Sequence, residues 1–266
     1  MMRVPASVII HIDMDCFYCQ VEQRRLNIPA ETPVAVQQWE GLIAVNYPAR
    51  AAGVRRHMRV AEARTLCPSL VLVHVETIGD STVEDTMASR DRHKVKVSLE
   101  RYRRASREWY QVLRDLFPGS PIEKASIDEA YVDITARVDT DLKALNASLH
   151  HGASIFGYKD ELLPPLLGDP VYVNQRTGGG WNRGGASVWG ALVLGGGGGV
   201  GTGTDVGTVV DPYEPRLAYA AELCAVTRGR IKSHLGFTCS AGIANNKLLA
   251  KIASGLHKVR TTYYLL

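Results

Sequence analysis

No stretch of this chain approaches the ~18 consecutive apolar residues of a membrane-spanning helix, so its partners are not expected to include a membrane. The apolar run Val8 to Ile12 is too short for a secretory h-region, is broken by His11 and leads directly into Asp13. Cysteine is scarce and irregular: Cys16, Cys19, Cys67, Cys224 and Cys239 form an odd set without the spacing of a disulfide framework, so a reducing, intracellular home is expected. Cys16 and Cys19 make a formal CxxC, but a structural zinc needs four ligands and no second pair exists. The adjacent His150 and His151 lie in a poorly patterned region, so the cysteines read as packing residues. A glycine-loop phosphate cradle is also missing. Residues 178–207 hold 14 of the 25 glycines, yet no lysine followed by serine or threonine closes them, and the stretch reads as a flexible excursion. Strong charge of one sign is absent as well: a net +4 permits a phosphate-rich partner without establishing one.

The 266 residues, 45% of them hydrophobic, suffice for one large or two ordinary domains with a packed core. Val8 to Asp13 reads as a strand, followed by a helix from Cys16 to Arg25 with Asp15 as its N-cap. Val34–Val36 and Leu42–Val45 flank a turn at Gly41 and predict a hairpin or neighbouring strands. Short helices are expected at 48–52 and 60–67, a strand at 70–75, and a polar loop over 77–95. Leu99, Tyr102, Ala105, Trp109, Val112, Leu113 and Leu116 recur at helical steps and predict a long helix over 97–117. Its other face carries Arg101, Arg104 and Arg107, a solvated surface in the plainer reading. Residues 122–134 read as strand, acidic turn and strand; 212–235 as helix, 237–243 as strand and 246–256 as helix. With the inserts set aside the order is βαββαβ, that of a ferredoxin-like core in an α+β protein.

Two acidic blocks stand out in that order: His11-Ile12-Asp13-Met14-Asp15, and Ser126-Ile127-Asp128-Glu129-Ala130-Tyr131-Val132-Asp133. Each delivers carboxylates to the end of an apolar strand. Carboxylates from separate strands, once brought together, hold hard divalent cations such as Mg²⁺. Two such ions roughly 3.5–4 Å apart serve phosphoryl transfer, one at the attacking hydroxyl and one at the leaving phosphate. The residues alone leave a second reading open, in which Asp13 and Asp15 cap a helix and Asp128 and Glu129 make a polar turn.

Four blocks, His11 to Arg24, Leu42 to Arg50, Ala125 to Asp133 and Cys239 to Lys251, resemble in content and order the Y-family translesion DNA polymerases. The resemblance implies a polymerase palm over 1–15 and 79–266, with an irregular excursion at about 137–211, and an inserted fingers domain over 16–78. It implies Asp13, Asp128 and Glu129 as catalytic, metal-binding carboxylates, with the Met14 carbonyl as a further ligand to two Mg²⁺ ions, or Mn²⁺ in their place. Phe17 and Tyr18 fall at the incoming nucleotide, Tyr18 as the aromatic gate beneath its sugar. Tyr47, Arg50 and Lys258 match triphosphate contacts, which suits charge growing on a leaving pyrophosphate. Arg56 matches a residue over the incoming base, Gln38 a contact near the templating base, and Lys251 a DNA contact.

Primer–template DNA and deoxynucleoside triphosphates are the implied partners, and the nucleus the implied location. A sliding clamp is expected of the family, but no clamp-binding peptide is seen here. The chain stops at Leu266, where the family continues into thumb and little-finger domains, so a weakly active or inactive fragment is expected. Two rival readings remain: a non-catalytic nucleotide- or DNA-binding fragment, and a nucleotidyl cyclase built on the same core.

Overall fold

The computed structural model describes residues 7–78, 95–150, 171–173, 182–183, 214–255 and 262–264. In chain order the elements are β1 (Ile9–Met14), α1 (Phe17–Leu26), β2 (Val34–Gln38), β3 (Gly41–Val45), α2 (Tyr47–Ala51), α3 (Val60–Leu66), β4 (Val71–His74), β5 (Thr77–Ile78) and β6 (Lys96–Val97). There follow α4 (Glu100–Leu116), β7 (Ile122–Lys124), β8 (Glu129–Asp133), α5 (Thr135–His150), β9 (Val171–Val173), β10 (Asn182–Arg183), α6 (Glu214–Leu235), β11 (Cys239–Ala244), α7 (Lys247–Gly255) and β12 (Thr262–Tyr264). The mixed α+β class expected from the sequence is what is found. Two units divide the chain: Met1–Asp13 with Leu113–Lys232 and Thr238–Leu266, and Met14–Val112 with Ser233–Phe237.

The first unit is built on a seven-stranded sheet in the order β10-β9-β12-β11-β1-β8-β7. Four of these strands, β11-β1-β8-β7, are the fourth, first, third and second of the predicted βαββαβ series, the ferredoxin-like arrangement. Ile10 and Ile12 on β1, Ala130 and Val132 on β8, and Ala241 and Ile243 on β11 are wholly buried. Residues two apart on a strand share a face, so each of these strands buries an apolar face in the core. Ile9, Tyr131, Ala244, Leu249 and Ala250 form one cluster between the sheet and α7. The approach is closest at Gly242, where a Cβ would sit 2.1 Å from the Ala250 carbonyl oxygen and 2.3 Å from the Ser254 nitrogen. Only glycine leaves room for a helix backbone there.

Some local expectations give way. The expected excursion from residue 137 contains a helix, α5, whose first turn is tied to Asp133: its carboxylate accepts from the Thr135 amide at 3.0 Å and the Thr135 hydroxyl at 2.6 Å. Strands β9 and β10 lie within the same stretch. The glycine run Gly195–Gly199, like residues 79–94 of the expected polar loop, lies outside the described residues.

In the second unit β2 pairs antiparallel with β3 and parallel with β4. Their core joins Ala35, Leu42, Val45, Ala49, Val54 and Ala63. Asn46 ties the hairpin to α2, its Oδ1 accepting from the Val34 amide at 2.9 Å and the Ala49 amide at 3.1 Å as the helix N-cap. Asp15 does not cap α1. That position belongs to Cys16, which adopts a left-handed φ of 43° and makes no side-chain cap.

Candidate functional site

In the first unit, β1 and β8 run antiparallel with Asp13 directly opposite Glu129. The acidic turn before β8 is fixed locally. Ser126 donates its hydroxyl to Asp128 Oδ1 at 2.6 Å and accepts from the Asp128 and Glu129 amides at 3.2 and 3.0 Å. The Ala125 and Ser126 amides both return to the Glu129 carbonyl. Asp128 therefore lies in the turn and Glu129 opens the second strand of the hairpin, rather than the two closing an apolar strand.

Around Glu129 a small charged network forms. Lys251 of α7 donates to Glu129 Oε2 at 2.6 Å, and His11 Nε2 stands 3.8 Å from the same oxygen. Glu129 raises the Lys251 ammonium above its ordinary pKa by hydrogen bond and charge, opposed by partial desolvation and joined by the Asp13 charge. His11 is wholly buried, tilted against Tyr131 at 4.6 Å between ring centroids, and its Nδ1 meets Ser254 Oγ at 2.7 Å. Ser254 in turn donates to the Lys251 carbonyl at 2.8 Å. That bond leaves its oxygen to accept from the imidazole. One turn earlier on α7, Lys247 pairs with Glu123 of β7 and lies over the Tyr131 ring at 5.7 Å.

These donors suit a divalent cation in kind. Asp13, Asp128 and Glu129 offer hard carboxylate oxygens from neighbouring backbone positions. Among the described residues, however, no three His, Cys, Asp or Glu side chains are gathered into a metal-holding group. Glu129 is turned to Lys251, and Asp128 to Ser126. Met14 is buried at the end of β1.

The second unit carries the other sequence-predicted residues. Tyr47 and Arg50 lie three residues apart on α2, the guanidinium 5.3 Å from the Tyr47 ring centroid and its Nε donating to the Val45 carbonyl at 2.9 Å. Tyr47 donates its hydroxyl to Asp15 at 3.2 Å, and burial followed by the Asp15 charge pushes the phenol well above its ordinary value. It is thus a hydrogen-bond donor at neutral pH. Tyr18 is half-buried on α1 and stacks on Tyr102 at 4.0 Å and 10°. Tyr102 donates to Glu22 at 2.8 Å, and Glu22, wholly buried, also receives Arg101 at 2.8 Å and Arg25 at 2.7 Å. Phe17 faces the core instead, edge-on to Phe237 at 5.9 Å between centroids. Gln38 ends β2 opposite Gly41, and Arg56 is exposed in the loop after α2.

Lys258 lies outside the described residues. Cys19, half of the CxxC, is buried and donates weakly to the Val34 carbonyl, and burial drives its thiol far above the ordinary value. A protonated, buried thiol is a packing residue, as the sequence suggested. Sequence reasoning missed His11, Glu22 and the tyrosine-binding role of Asp15. A histidine inside an otherwise apolar strand was the one signal for the first of these.

The impB/mucB/samB family matches residues 12–255. The chain is 33% identical over 284 residues to DNA polymerase eta of Drosophila melanogaster, a match covering 94% of this chain and 26% of that protein. It is 33% identical over 261 residues to the N-acetyltransferase eso1 of Schizosaccharomyces pombe, covering 96% of this chain and 27% of that protein. DNA polymerase eta of Arabidopsis thaliana is 34% identical over 259 residues, covering 95% and 32% respectively. The chain thus spans between a quarter and a third of these relatives. Among the described residues no helix is long and apolar enough to cross a membrane.

Proposed function

The chain belongs to the impB/mucB/samB family, and on that premise we propose that it carries the nucleotidyl-transfer core of a translesion-type DNA polymerase, joining deoxynucleotides to a primer 3′-hydroxyl and releasing pyrophosphate. The observation that carries this reading is the cross-strand register of Asp13 and Glu129 on a ferredoxin-like sheet, with Asp128 adjacent. In this reading the first unit is the palm and the second contains the fingers. The acetyltransferase name of one relative is not carried over, since the other two relatives named above are DNA polymerases and the carboxylates on β1 and the turn before β8 suit a divalent ion.

Asp13, Asp128, Glu129 and the Met14 carbonyl would hold Mg²⁺, or Mn²⁺ in its place. When bound, such ions supply charge neutralisation at the reacting phosphate and acidify the attacking hydroxyl. The protein's own contributions follow from each unit. Tyr47 presents a protonated phenol and Arg50 a guanidinium from one short helix, both suited to phosphate oxygens. Asn46 holds that helix to β2, so the pair is pre-positioned. Stacking on Tyr102 restrains the Tyr18 ring, as a gate beneath a sugar requires. Lys258 is assigned to the triphosphate, Gln38 and Lys251 to DNA, and Arg56 to the incoming base by the resemblance. Primer–template DNA and deoxynucleoside triphosphates are the partners in this reading, and the nucleus the location.

Single-turnover incorporation, with protein in excess over a labelled primer–template, tests the proposal. One nucleotide complementary to the template should be added in Mg²⁺, and Asp128→Ala should abolish it. Incorporation that is absent, or that survives Asp128→Ala, would contradict the reading.

A further inference from the structure

The carboxylates proposed to hold a divalent ion are instead engaged by groups of the chain itself, and the engagement is uneven. Asp128 is satisfied by a neighbouring serine within its own turn, a local bond that rotation of one side chain releases. Glu129 is satisfied by a cation, the Lys251 ammonium at 2.6 Å. That lysine sits on the outer face of α7 with its side chain 50% exposed, against 22% for Glu129. Its stem can swing the ammonium into water at little cost, and half-exposed ion pairs of this kind are weak.

Asp13 lies in register with Glu129, and its charge acts on the same ammonium. The neighbouring Lys247 is paired with Glu123. A site of this kind gains from exchanging a monovalent ammonium for a divalent ion that several oxygens can share.

We propose that Lys251 is a displaceable counter-cation, which holds Glu129 in the metal-free protein and gives the carboxylate up when a divalent ion binds. This rests on the functional reading above, because it takes the metal site from that reading. The backbone supports the exchange without moving. Ser254 anchors the Lys251 carbonyl at 2.8 Å and meets buried His11 at 2.7 Å, so α7 stays fixed to β1 while the lysine side chain turns.

The test is calorimetric titration of Mg²⁺, with Mn²⁺ binding followed by electron paramagnetic resonance as a second readout, into metal-stripped wild-type protein and the variants Lys251→Met, Lys251→Gln and Lys247→Met. Removing the competitor should tighten divalent binding by up to about 5-fold in both Lys251 variants, the equivalent of a half-exposed ion pair. It should also lower the melting temperature of the metal-free protein. Lys247→Met removes the same charge one turn away and should leave affinity within about 1.5-fold of wild type. Unchanged or weaker binding in the Lys251 variants overturns the proposal, as does equal tightening in Lys247→Met, which would reflect the general field. Binding by wild type without tightening in the variants leaves the polymerase reading standing. Absence of binding in every protein defeats both.

Discussion

Replacing Gly242 by alanine should detach α7 from the sheet. The added Cβ would stand 2.1 Å from the Ala250 oxygen, 2.3 Å from the Ser254 nitrogen and 2.8 Å from the Ala253 Cβ. Non-bonded heavy atoms rest roughly 3.5 Å apart, so the overlap exceeds about 1 Å against two backbone atoms that no rotamer change can move. The helix must therefore translate, drawing Ala250 and Ala253, both wholly buried, out of their contacts. Overpacking ordinarily costs about 1–3 kcal/mol, and a backbone clash belongs at the upper end. With a urea slope of about 2–3 kcal/mol/M, the unfolding midpoint should fall by roughly 1 M. Gly229→Ala provides the contrast: its Cβ meets nothing within 4 Å inside α6, so it should stabilise by about 0.5–1 kcal/mol. A Gly242→Ala midpoint within about 0.2 M of wild type would refute the reasoning.

Two further perturbations probe buried charge. Glu22→Ala should destabilise by about 2–3 kcal/mol in urea, below the roughly 3–5 kcal/mol of a fully buried pair, because Arg101 and Arg25 can reach solvent when released. An unchanged midpoint would mean that the Glu22 network contributes nothing. Glu222→Gln should stabilise at neutral pH: burial raises the folded carboxyl above its ordinary 4.5, so the native state binds the proton more tightly than the unfolded chain. Wild-type stability then declines as pH rises from that ordinary value through the folded one, and the advantage of glutamine should fade as pH falls below it. A gain independent of pH would contradict desolvation as the cause.

The fold was legible where it rests on local period. Apolar residues at helical steps marked α4, and short, mainly apolar segments marked β1 and β11, so the βαββαβ order followed. Helix α5 was not legible, because its tie to Asp133 is a capping contact outside the run whose periodicity was read. The start of α1 was misread for a related reason. Asp15 is a good cap by residue type, but its carboxylate receives Tyr47, from 32 residues along the chain, and Cys16 takes the cap position in a left-handed conformation.

The site shows the same division. Asp13, Asp128 and Glu129 are visible as residue types at strand ends. The partners of Glu129, Lys251 and His11, come from elements 122 and 118 positions away. Glu22 looked like one polar position on a helix, and only the return of α4 with Arg101 and Tyr102 makes it the centre of a network.

The central claim is that the carboxylates on β1 and β8 recruit a nucleotide through a divalent ion. Calorimetric titration of a deoxynucleoside triphosphate, with and without Mg²⁺, into wild-type protein and Asp13→Ala tests it most directly. Saturable binding that requires Mg²⁺ in wild type and falls at least about 10-fold in Asp13→Ala is the predicted result, since one ligand in a shared site is lost. Nucleotide binding of equal strength without the ion, or undiminished in Asp13→Ala, would contradict it.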